Sequence, residues 1–110
     1  MGYWRRSMIA QFADLMQDFD AIVAPTVPVI APALADFADD DDYIRLNLLL
    51  LRNPSVFNLL DGCAISLPVH QPGDAPVGLM LAAPGGCDQA LFRAALTVET
   101  CTMRWPPGNV

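Results

Sequence analysis

The chain has 110 residues, 54% of them hydrophobic and 16% charged, with a net charge of −6. That length holds one hydrophobic core at most, and the hydrophobic content excludes a disordered tail. The charged fraction falls below the about 25% usual for soluble domains, which leaves apolar surface for a partner or for further polypeptide. Eleven aspartates and one glutamate oppose six arginines and no lysine, so neither nucleic acid nor an anionic membrane face finds an electrostatic footprint.

In chain order, the opening Met1-Gly2-Tyr3-Trp4-Arg5-Arg6 does not continue into a secretory leader, because Gln11 and Asp14 interrupt the apolar run. Nor is it a myristoylation site, which needs Ser or Thr where Arg6 stands. Trp4, Met8, Phe12, Leu15, Met16 and Phe19 recur at spacings of three and four, predicting a helix over residues 4–18 with one apolar face. Asp20 ends it, and Ala21-Ile22-Val23-Ala24 reads as a short buried strand. The following "PTVPVIAP" loses three amide donors to proline and must run extended over a surface; its prolines also exclude a membrane span over Ala21–Ala35.

Asp39–Asp42 form the one charge block, expected as a solvated loop whose last Asp caps a helix starting near Tyr43, since no EF-hand spacing follows. "YIRLNLLLLRN" is helical and apolar, Pro54 is expected to start a second short helix through Asp61, and Gly62 to stop it. Two strands, Cys63–Val69 and Val77–Ala82, flank the turn-rich "HQPGDAP". Asp88 is placed to cap a last helix that buries Leu91, Phe92, Ala95, Leu96 and Val98, and "WPPG" ends the ordered part. Helix, strand, helix, strand, strand, helix gives an α/β or α+β class, with no internal repeat.

Three cysteines cannot pair evenly, so they are expected as reduced thiols of a cytoplasmic protein. Cys63 and the only histidine, His70, invite a thiol-enzyme reading. On one strand, however, they would point to opposite faces and lie roughly 23 Å apart, against the about 3 Å that a nucleophile and its base require. Cys63, Cys87 and Cys101 lack CxxC spacing, so no metal site is expected. Ser7, Ser55 and Ser66 sit in no GxSxG elbow, and Ser66, inside an apolar strand, is expected to bond nearby backbone. Pro84-Gly85-Gly86 before a helix could cradle an anion, but Asp88 at the cap would repel one. No cofactor motif is present, and none is expected.

Taken together, four stretches resemble the C-terminal part of the amidase signature family: "DAIVAPTVPVIAP" at 20–32, "NLLDGCAISLP" at 58–68, "APVGLMLAAP" at 75–84 and "DQALFRAALTVE" at 88–99. Asp61 stands where the family commonly has Gly, and Cys63 where it commonly has Pro. His70 falls near a turn position often held by Gly. The resemblance implies a mixed α/β sheet flanked by helices, of which residues 1–110 form one incomplete segment, and cleavage of carboxamide C–N bonds. It also implies that the nucleophilic Ser, bridging Ser and basic Lys lie upstream of the matched part, so no catalytic residue carries over to this chain. The segment would complete the sheet and border the acyl pocket, with Thr26, Asn53 and Asn58 as candidates. Capping or loop hydrogen bonding is the competing role for each. The expected partner is a complementing N-terminal amidase polypeptide, or a second copy in a homo-oligomeric structural or binding module.

Overall fold

A computed structural model describes residues 2–104. Its elements are α1 (Gly2–Leu15), β1 (Ile22–Pro25), a 3-10 turn at Leu34–Asp36, α2 (Asp40–Leu59), β2 (Cys63–Pro68), β3 (Gly78–Ala83) and α3 (Asp88–Arg104). The expected element order and the α/β class hold. The "WPPG" terminus lies outside the described residues.

The three strands pair antiparallel in the order β1-β3-β2, with Ile22 opposite Ala82 and Cys63 opposite Ala83. Strand alternation sends successive side chains of β3 to opposite faces. Met80 and Ala82 meet Phe12, Met16 and Phe57 from the α1 and α2 side. Leu79, Leu81 and Ala83 meet Leu67, Leu91 and Ala95 on the α3 side. The result is a three-layer arrangement around one well-buried strand. Pro25 and Pro68 both fall on edge strands, where a missing amide breaks no ladder bond.

Several local expectations need correction. The predicted stripe of the first helix is only partly covered: Phe12 and Met16 are buried, whereas Trp4, Leu15 and Phe19 face outward. The predicted buried first strand is an edge, with Ile22 and Val23 both exposed. In the acidic block the first residue, not the last, is the cap. The Asp39 carboxylate accepts from the Asp42 amide at 2.8 Å, and Asp40–Asp42 occupy the first turn, where the helix dipole favours them. Pro54 starts no new helix but lies inside α2, where its missing amide costs one bond to the Leu50 carbonyl. In α3, Phe92 and Leu96 lie on a flank about 100° from Leu91 and Ala95 and are exposed.

The end of α2 shows why a sequence rule failed by one residue. Asp61, not Gly62, adopts the left-handed conformation (φ 53°). The Asp61 amide bonds the Asn58 carbonyl and the Gly62 amide bonds the Phe57 carbonyl at 2.9 Å, the paired closure of a Schellman motif. Gly62 is needed for a different reason: a Cβ there would lie 2.8 Å from the Ala83 carbonyl oxygen.

Candidate functional site

Gly78 opens the central strand, and the chain that lies beside it on either hand carries a hydroxyl. The Thr26 amide donates to the Gly78 carbonyl at 3.0 Å, extending the β1–β3 ladder by one residue. Ser66, two residues before the partner of Gly78 on β2, points to the same face, because Ala64, Ser66 and Pro68 alternate with Cys63, Ile65 and Leu67. Thr26 Oγ1 and Ser66 Oγ hydrogen-bond to each other across the glycine. A Cβ on residue 78 would overlap Ser66 Oγ and lie 2.7 Å from Thr26 Oγ1, so glycine is required for the two hydroxyls to meet. The expected backbone role of Ser66 is thereby corrected. The available signal was the glycine in the strand pattern, which marks a close approach; that two hydroxyls make the approach follows only from the strand pairing.

Asn53 arrives at the same end from α2. Its Nδ2 donates to the Pro25 carbonyl at 2.8 Å, and its Oδ1 accepts from Arg52 Nε at 3.3 Å. Thr26 and Asn53, both sequence candidates, therefore flank the Pro25–Thr26 peptide. Asn58 does not join them. Five helical residues rotate it about 140° from Asn53, and it is exposed. Its carbonyl accepts Arg5 Nη2 at 3.2 Å, beside the Leu59 carbonyl that takes Arg5 Nε at 3.0 Å. Arg5 thus places a cation on the last carbonyls of α2, which ties α1 to α2.

Cys63 and His70 lie at opposite ends of β2. His70 Nδ1 accepts from the Val77 amide at 3.1 Å and so pins the mouth of the hairpin. Pro72 and Gly73 occupy the centre of its turn, with Gly73 at φ 92° and the Asp74 amide on the Gln71 carbonyl. Cys63 Sγ faces the carbonyls of Pro84 at 3.5 Å and Ala83 at 3.7 Å. Burial pushes its thiol above the ordinary range, and the Asp88 carboxylate pushes it further in the same direction. A thiol held protonated in this way is a poor nucleophile. Asp88 is the first residue of α3 and not its cap. The Pro84-Gly85-Gly86-Cys87 run is a turn closed by the Cys87 amide on the Pro84 carbonyl, with Gly86 at φ 88°. Among the described residues no trio of His, Cys, Asp or Glu could hold a metal ion.

The polar end of the sheet offers two hydroxyls, bonded to each other, and an amide. Such a set can border a ligand and orient it by hydrogen bonds; it cannot by itself activate a nucleophile.

The Amidase family profile matches residues 3–92. Over 103 residues the chain is 35% identical to the 2-amino-5-chloromuconic acid deaminase of Comamonas testosteroni, a match covering 88% of this chain and 22% of that protein. It is also 35% identical over 101 residues to a glutamyl-tRNA(Gln) amidotransferase subunit of Thermus thermophilus, covering 92% of this chain and 21% of the relative. The corresponding protein of Halobacterium salinarum is 32% identical over 88 residues, 80% of this chain and 20% of the relative. No solved structure matches. The chain belongs to the amidase family, and it spans about a fifth of the length of the curated relatives it matches.

Proposed function

We propose that residues 1–110 are one C-terminal segment of an amidase-type carboxamide hydrolase, active only with polypeptide that carries the Ser/Ser/Lys centre. The observation that carries this reading is a family match over residues 3–92 in a chain with no lysine to act as the base. In this reading the segment extends the catalytic sheet, and Thr26 and Asn53 border the acyl pocket from its sheet side and its helix side. Asn58 would border it only from beyond the turn of α2 that separates it from Asn53. The reaction is hydrolysis of a C–N bond in a cytoplasmic setting, which suits reduced Cys63, Cys87 and Cys101. Among the described residues no helix is long and apolar enough to cross a membrane.

A second reading, a self-associating structural or binding module, draws on the many exposed apolar side chains of α1 and α2. Both readings are tested by ammonia release from a panel of simple carboxamides. The samples are the chain alone and a chimera in which the chain replaces the matched 101 residues of the Thermus thermophilus relative. Turnover is expected from the chimera only. Turnover by the isolated chain, lost in Cys63→Ala or His70→Ala, would instead establish thiol chemistry. A folded but inactive chimera together with a stable homo-oligomer of the chain would favour the module.

A further inference from the structure

Helix α2 is apolar on two opposite sides. One side carries the buried Leu46 and Phe57, and Phe57 packs with Met80 and Ala82 of the sheet. At 3.6 residues per turn, Ile44, Leu48, Leu51 and Leu59 fall within about 80° of one another and about 180° from that buried side. These four are 43–63% exposed. An ordinary surface helix has one apolar stripe and one polar face; a helix apolar on both sides belongs to an interior layer. We propose that the Ile44–Leu48–Leu51–Leu59 stripe is the seat of the amidase polypeptide that lies outside this chain, which packs an apolar face there and makes α2 an inner layer of the complete domain. This rests on the reading of the chain as an amidase segment.

Three observations select that occupant over a second copy. The first is area. The chain exposes 8146 Å², whereas a compact protein of 11.9 kDa exposes about 5,900 Å². The excess, about 2,200 Å², is more than the about 800 Å² per partner that a standard two-protein interface covers. A second copy docked through a standard-sized interface leaves most of it exposed, whereas a larger body that wraps more than one face covers it. The second is shape: the radius of gyration is 16.5 Å with extents of 42 × 42 × 19 Å, against about 13 Å for a compact domain of this size. The third is charge. The stripe begins beside Asp39–Asp42, whose one ion pair among the described residues is the exposed Arg45–Asp42 contact at 3.6 Å. Two copies, each with a net charge of −6, would repel. A partner that supplies cations near this turn would not.

The test uses the double variant Leu48→Glu/Leu51→Glu in the isolated chain and in the Thermus thermophilus chimera. In the isolated chain both side chains are exposed, so the circular dichroism spectrum and melting curve are expected to match the parent. In the chimera the same pair would bury two carboxylates, and loss of the folded, soluble protein is expected. Leu48→Met/Leu51→Met, which keeps the stripe apolar, is expected to restore it. A chimera that tolerates the two glutamates overturns the proposal, as does unfolding of the isolated chain by them. An isolated chain that sediments as a dimer and is made monomeric by the pair, while the chimera tolerates it, assigns the stripe to a second copy. A parent chimera that fails to fold rejects the amidase-segment reading itself, a result distinct from failure of the variant alone.

Discussion

At the end of the sheet that carries Gly78, side-chain hydrogen bonds are added to the backbone ladder; at the end that carries Ala83, the closest approaches are onto backbone carbonyls. Thr26 and Ser66 bridge over Gly78, and Asn53 reaches the Pro25 carbonyl. At the other end, Gly62 sits against the Ala83 carbonyl and Gly85 against the Asp61 carbonyl, and the Cys63 thiol rests on the Ala83 and Pro84 carbonyls. Rotamers can move; packed backbone cannot, short of shifting a whole strand. The polar end is therefore the adaptable one, and the backbone end is the rigid one.

The largest test of that contrast is Gly85→Ala. Its Cβ would overlap the Asp61 carbonyl oxygen, which has no rotamer to escape into. A loss of about 3 kcal/mol is expected in chemical denaturation. Gly78→Ala meets an equally close atom, but that atom is a hydroxyl that can turn away. We expect a smaller loss, about 1–2 kcal/mol, with much of it recovered when Ser66→Ala is added. Equal losses at the two glycines, or no recovery, would end the distinction. Asn53→Ala removes the bond to the Pro25 carbonyl together with the exposed one from Arg52, and is expected to cost about 1 kcal/mol. The smallest effect concerns pH. The Cys63 thiol is raised in the folded state, so the fold favours its protonated form. Its contribution is complete below the ordinary thiol range and disappears as pH rises through and beyond it. Alkylation at pH 8 should reach exposed Cys87 and Cys101 before Cys63, and Cys63→Ala should flatten the loss of stability at alkaline pH.

Features that depend on neighbours in the chain were legible in the sequence. The "HQPGDAP" hairpin loop follows from Pro72-Gly73, and the strands on either side were placed within a residue of their observed ends. Competition between adjacent candidates was harder to read. Any of four aspartates could cap α2, and Asp61 or Gly62 could take the left-handed position, because aspartate tolerates it. Exposure was the least legible. Trp4, Ile22, Leu48 and Phe92 look like core residues by pattern, yet they remain 36–75% exposed. Asn53 bonds the carbonyl next to Thr26, and the Thr26–Ser66 contact depends on β1 pairing with β3, a long-range choice that no local pattern encodes.

The strand order also sets a sequence of events. β2 and β3 are joined by one tight loop and can zip together locally, on the microsecond scale of hairpins. β1 can dock only after Pro25 crosses the whole of α2 to find Leu79, which adds the entropy of closing a long loop. The hairpin should therefore form the template and β1 arrive last. Pulse-labelled hydrogen exchange during refolding is expected to protect the Leu79 and Leu81 amides before that of Thr26; simultaneous protection would show that all three strands assemble in one step.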